Sequence, residues 1–308
     1  RMTEPDVEVA ATPREIAVPP GYARGAPLPW WGKLGVKLGL AALGVHGARA
    51  RRLGLAEPSF GHDDPGRLLD PPRHWRGWAA EQLGRPARTL LEVGPGRMVV
   101  RAPVLAALGF TRSWFVDPAD TAPASPAPYR AAAALARAAG LAPPDLEGLL
   151  DRAAVLAACR ATLLTGGPAA LRAVPSGSVD IVVSEAVLEH VRRADLAPLL
   201  AELRRVTAPG GCGLHFIDLH DHLGGALQHL RFGPGFWEGK LAARAGIYVN
   251  RLGLSAHVAA FRDAGFGVTV REVLRWPARP AGPRRAHPAN PRAPSDDRIC
   301  AALIELRG

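Results

Sequence analysis

Glu92-Val93-Gly94-Pro95-Gly96 is the first run whose residue types and spacing could do chemistry. It joins TLLEVG (89–94), a short buried-strand pattern, to VRAPVLAALGF (100–110), which reads as helix. A Gly-x-Gly turn between strand and helix lets backbone approach a ligand closely and aims helix N–H groups at it. The third slot of a G-x-G-x-x-G dinucleotide fingerprint holds Val99, so that pattern is incomplete. Asp117 lies 23 residues after Gly94, at the end of SWFVDP (113–118). A carboxylate there can accept both hydroxyls of a ribose, whereas a plain turn residue before Pro118 would need no ligand.

Proton-transfer chemistry has two candidate clusters. Glu189-His190 follows VDIVVSEAV (179–187), and His215, Asp218, His220, Asp221, His222 and His229 crowd into and beyond CGLHFIDL (212–219). Imidazole titrates near neutral pH and can take a proton from a hydroxyl or amine. Alternate residues of a strand share a face, so His215 and Asp218 point oppositely, while Asp218, Asp221 and His222 mark the strand's end. His190 could equally cap the next helix. Histidine with aspartate also suits zinc or iron, but no ligands stand at defined helical spacing. No metal is expected, and a hydrogen-bonded His–Asp pair is favoured.

These residues need elements to hold them. From residue 89 strands and helices alternate, with ATLLTGG (161–167) as a third strand. Residues 195–207 form an amphipathic helix with Leu196, Leu199, Leu200, Leu203 and Val206 on one face, stopped by Pro209-Gly210-Gly211. Another helix spans 255–266, with Ser255 as its N-cap and Gly265 at its end. The last strands, GVTVREVLRW (267–276) and ICAALIEL (299–306), have no helix between them and should pair antiparallel. The Pro/Arg-rich residues 277–298 read as a disordered or extended loop. The pattern is α/β, a doubly wound parallel sheet with ligand chemistry at the carboxyl ends of its strands.

LLEVGPG, VDP, PSGSVDIVVSEAVLEHV (175–191) and ELRRVTAPGG (202–211) together resemble the class I S-adenosylmethionine-dependent methyltransferases of the small-molecule, type 11-like kind. The resemblance covers about residues 85–308. It implies a Rossmann-like seven-stranded sheet with an antiparallel last strand, S-adenosylmethionine as cofactor, and methyl transfer to a small or lipid-linked polar acceptor, with O-methylation favoured. Residue by residue, it puts Glu92, Gly94 and Gly96 against the methionine and ribose part of the cofactor and Asp117 on the ribose hydroxyls. The loop Thr165-Gly166-Gly167 falls where adenine rests, and Ser184 and Glu185 close the pocket. His190 or His222 would serve as base and Asp221 as orienter. Met98 stands where the family usually has a third glycine, and the third-strand loop lacks the customary acidic residue. Asn250 and Arg251 could hold a polar or acidic acceptor.

The expected organisation is an N-terminal arm and helical cap over 1–85, then the methyltransferase domain over 86–308, with a substrate-side insertion at 219–255. Residues 30–55 carry an apolar segment with Trp30 and Trp31 at one end and Arg49, Arg51 and Arg52 at the other. Peripheral membrane contact through 30–52 is one reading; a helix packed over the domain's own core or a dimer partner is the favoured one. The net charge is +10, but only three of 38 basic residues are lysines and they form no aromatic-interleaved stripe, so nucleic-acid binding is not expected. Three scattered cysteines, no apolar run of about 20 residues and an acidic, Pro-rich start point to a reduced, cytoplasmic protein without a signal peptide. The alternatives are a nicotinamide-dependent oxidoreductase, which shares Gly-x-Gly and Asp117, and a non-catalytic methyltransferase-like scaffold at a membrane.

Overall fold

Strand β2 (Thr89–Val93) is buried from Leu90 onward, as befits a central strand covered on both faces. It pairs in parallel with β3 (Arg112–Asp117) on one side and β5 (Val179–Glu185) on the other. β4 (Ala161–Thr165) extends the sheet beyond β3, and β6 (Thr207–Asp218) extends it beyond β5. Strand β8 (Ile299–Arg307) runs antiparallel to both β6 and β7 (Gly267–Arg275). The structure, a computed structural model, describes residues 12–19, 22, 28–45, 65–283, 286–290 and 292–308.

The expected architecture is borne out, with one strand more than anticipated. β1 (Arg14–Ala17), in a stretch expected to be an irregular arm, adds in parallel to β7. The eight-stranded order is β1-β7-β8-β6-β5-β2-β3-β4. The chain changes direction between β2 and β5, so the crevice at their carboxyl ends is the switch point where such sheets take ligands.

Alternation along the strands sends side chains to two cores. Leu90, Phe115, Ile181 and Leu214 face α2 (Pro65–Leu83), α3 (Ala102–Ala107), α4 (Ala127–Ala138) and α5 (Arg152–Ala158). Leu91, Trp114, Val182 and Ile217 face α6 (Arg193–Val206) and α9 (Leu254–Asp263). Trp75 and Trp78 of α2 lie in the first core, so this helix, expected in a separate cap, packs directly on the sheet. Ser255 does not cap α9. Gly253 holds the cap position, and Asp296 accepts from both the Ser255 amide and its hydroxyl.

The insertion after β6 carries α7 (Pro234–Trp237) and α8 (Lys240–Arg244). It forms a third core with α1 (Trp30–Ala42), in which Leu34 meets Leu223, Trp237, Ile247 and Tyr248. The described part of 277–298 is not a free loop but a strap over this insertion. Asn290 Nδ2 donates to the carbonyls of Leu230 and Phe232, and Arg193 donates to Ala289 O and Asn290 Oδ1. Arg49, Arg51 and Arg52 lie outside the described residues.

Candidate active site

The loop after β2 carries its backbone in the left-handed region at Gly94 (φ 66°) and Gly96 (φ 55°). A Cβ on Gly94 would come within 2.5 Å of Val187 Cγ1, so glycine there admits close approach between the loops following β2 and β5. Asp117, at the tip of β3, accepts from the Gly96 amide at 3.0 Å and the Ala119 amide at 3.1 Å. Each carboxylate oxygen has a second lone pair, so both retain capacity for a hydroxyl donor. Gly166 (φ 110°) donates its amide to the Asp117 carbonyl, which brings the loop after β4 beside the same tip. Gly96–Arg101 is a 3-10 turn rather than the start of an α-helix, and Met98 packs against the first core.

Below this loop lies a charge cluster that sequence reasoning missed. Arg101 is wholly buried, donates to Glu92 Oε1 at 2.9 Å, reaches Glu185 Oε2 at 3.4 Å and stacks over the Trp75 ring at 5.0 Å. Glu92 Oε2 and Arg101 Nε are buried without partners. Burial pushes the Glu92 carboxyl up to about 7; Arg101 opposes this and Glu185 reinforces it. The one available signal was an arginine inside the apolar run VVRAPV.

The second half of the site stands at the ends of β5 and β6. His190 Nδ1 is 2.9 Å from the Tyr248 carbonyl, and its Nε2 is 3.2 Å from His222 Nε2, with the rings stacked at 4.9 Å. A carbonyl only accepts, so His190 carries its proton on Nδ1 and accepts at Nε2. His222 then donates from Nε2 and holds a lone pair on Nδ1. Desolvation lowers the His190 imidazole, and desolvation with the neighbouring His190, His220 and Lys37 charges pushes His222 down to about 3. Both rings are therefore neutral bases at pH 7.

Carboxyls surround the pair. Glu189 is buried with both oxygens unpartnered, and Oε1 is 3.9 Å from His190 Nε2. Burial, then the nearby Asp218 charge, holds the Glu189 carboxyl well above the usual carboxylate range. Asp218 Oδ1 accepts from the Tyr22 hydroxyl at 2.7 Å and lies 3.7 Å from His220 Nε2. Tyr22 was not among the residues singled out from sequence.

Other expected residues have different partners. Asp221 does not bond His222. Its Oδ1 accepts from the Leu223 and Gly224 amides and its Oδ2 from Gln228, 3.8 Å from His229 Nδ1. Burial opposes its charge, but His229 and the turn amides outweigh it and hold the carboxyl well below the usual range. Ser184 Oγ is 2.8 Å from His215 Nδ1 inside the sheet, whereas Glu185 beside it is exposed. Asn250 Nδ2 staples the Leu188 and Val191 carbonyls. Arg251 donates to Phe232 O and Glu238 Oε1, with its guanidinium over Trp237. Among the described residues no group of three or more His, Cys, Asp or Glu is arranged to hold a metal.

Residues 143–214, from before β4 into β6, match the family described as methyltransferase domain. The glycine loop and Asp117 precede that segment. No curated protein matches the chain. Among solved structures, YcgJ from Bacillus subtilis is 15% identical over 76% of this chain and 98% of its own, with a TM-score of 0.43. An S-adenosylmethionine-dependent methyltransferase from Archaeoglobus fulgidus is 12% identical over 77% and 92%, at 0.43. The 1,6-didemethyltoxoflavin-N1-methyltransferase of Burkholderia thailandensis, solved with that compound and S-adenosylhomocysteine, is 16% identical over 92% of both chains, at 0.42.

Sheet order and the glycine loop make a Rossmann-like α/β sheet, and the segment within it that matches a methyltransferase domain is the kind for which the sequence implied S-adenosylmethionine as cofactor. The cradle fits that cofactor. Left-handed glycines leave backbone open, Asp117 keeps acceptor capacity, and a buried carboxylate oxygen and guanidinium nitrogen stand unpartnered nearby.

Proposed function

We propose that this enzyme methylates a small or lipid-linked polar acceptor, preferentially on oxygen, with the His222–His190 pair as its proton acceptor. The observation that carries this reading is the defined tautomer of that pair, a neutral base at the tip of β6, one strand beyond β5 and two from the glycine cradle.

Glu92, Gly94, Gly96, Asp117, Gly166, Ser184 and Glu185 are the residues assigned to the cofactor. Ser184 would act only by positioning, since its hydroxyl bonds His215. The bound cofactor supplies an already activated methyl group. The chain's task is to hold the acceptor at near-attack distance and remove its proton. A hydroxyl proton passes to His222 Nδ1, and the Nε2 proton of His222 can move to His190 Nε2, which spreads the positive charge over two rings.

Release of S-adenosylhomocysteine on a panel of hydroxyl, amine and carbon acceptors tests the proposal. Turnover on hydroxyl acceptors supports it. Turnover confined to amines overturns the oxygen preference, and calorimetry showing no uptake of the sulfonium nucleoside overturns the assignment as a whole.

A further inference from the structure

Helix α1 is apolar on both faces. Leu34 and Ala41 are buried against the insertion, with Trp30 and Leu38 half-buried beside them. The opposite face presents Trp31 (65% exposed), Gly35, Val36 (54%), Gly39 and Ala42, with Leu43 (76%) just past its end, and no polar side chain. A surface helix ordinarily turns charged residues outward, and one that is apolar all round is ordinarily covered. Six of the eight large apolar residues exposed among the described ones gather here: Leu28, Trp31, Val36 and Leu43 with Phe236 and Leu241 of the insertion. The two elements are in contact through α1 and α8.

The charges around the patch are mostly of one sign. Lys33 and Lys37 run along the margin of α1, and Lys240 is exposed on α8, so the chain's three lysines all stand here. Arg231 and Arg244 are exposed too, with Arg231 over the Trp30 ring. Residues 28–45 contain no Asp or Glu, and Glu238, between Phe236 and Leu241, is already tied to the buried Arg251 at 2.8 Å. A second copy across a two-fold axis would bring these cations against one another, and the one carboxylate within the patch, Glu238, is already paired with Arg251. An anionic surface with an apolar interior complements both properties, and tryptophan with lysine at the rim is the composition of an interfacial helix.

We propose that the exposed face of α1, with Phe236 and Leu241, docks the protein on an anionic lipid surface without spanning it. No described helix is long and apolar enough to cross a membrane. The docked helix is also the roof of the histidine site, since its buried face rests on Leu223 and Tyr248, and Lys37 lies near enough to His222 to lower its proton affinity.

Co-sedimentation of the full chain with phosphatidylcholine vesicles, with and without phosphatidylglycerol, tests the docking and needs neither cofactor nor turnover. Binding should require the anionic lipid and weaken with salt. Lys240→Gln should weaken it about fivefold, the worth of one basic residue near such a surface. The double variant V36E/L43E alters only exposed positions and should keep its melting temperature while losing at least about tenfold in binding. Failure of the wild type to bind anionic vesicles overturns the proposal, as does undiminished binding by the double variant. Sedimentation showing a wild-type dimer that V36E/L43E dissolves would assign the face to a second copy and overturn it equally.

Discussion

Asp117→Ala tests the grip proposed for the cofactor's sugar. The carboxylate sits at the tip of β3 and ties down the Gly96 and Ala119 amides. A hydrogen bond to a charged group is worth about 1.5–3 kcal/mol. Two ribose hydroxyls could gain more than that, but the loop amides compete for the same oxygens, so a loss of about 2–4 kcal/mol in cofactor binding is expected. At about 1.4 kcal/mol per decade this is a weakening of roughly thirty- to seven-hundred-fold. Two freed amides should also cost about 1–2 kcal/mol of stability, softened where water reaches them. Asp117→Asn keeps one acceptor oxygen and should fall between. Titration calorimetry with S-adenosylhomocysteine, with urea unfolding on the same samples, separates the two effects. A folded Asp117→Ala protein that binds with wild-type affinity would refute the reasoning.

His222→Ala should cut turnover by about 10²–10⁴ while leaving cofactor affinity within a few-fold, measured by steady-state kinetics beside calorimetry. Arg101→Ala should destabilise the fold by about 3–5 kcal/mol in denaturant titration, because it leaves the Glu92 carboxyl buried without its partner. Gly94→Ala should cost about 1–3 kcal/mol from its positive φ plus a clash with Val187; adding Val187→Ala should recover only the clash. Stability should fall steeply below about pH 4.5. His215 and His222 (each about 3) and His257 (about 4) are held below their unfolded value, so the stability tied to their neutral forms is present above about pH 6.5 and lost as pH falls toward those values. Glu92, raised to about 7, acts oppositely between about pH 4.5 and 7, and Asp221, held low, adds to the loss at the acid end. A melting temperature flat from pH 6 to 3 would contradict these assignments.

The strand tips were legible in the sequence because local pattern determines them. A buried strand ending in Gly-x-Gly or in Asp-Pro announces its own turn, and the switch point follows from alternation. Partnerships set by distant segments were not. Asp221 looked like a histidine orienter from its neighbours, yet three amides of its own turn claim its oxygens. Ser184 looked like a pocket wall, but the residue beside it in the next strand is His215, and the two satisfy each other. Arg101 was invisible because burial of an arginine depends on Glu92 and Trp75 arriving from other elements. The cap of α9 comes from Asp296, some forty residues away, which no local rule can supply.

Four residues of β1 decide where the amino-terminal segment can go. Because Arg14–Ala17 runs in the same sense as β7, the chain leaves that edge at the end of the sheet where the tips gather, and five residues later the Tyr22 hydroxyl closes on Asp218. Slippage by two residues would keep the same faces but carry the phenol about 6–7 Å along the strand, out of reach of its carboxylate. The Tyr22–Asp218 contact at the tip of β6 thus depends on the alignment of a short selvedge, well away from the Gly94–Gly96 loop.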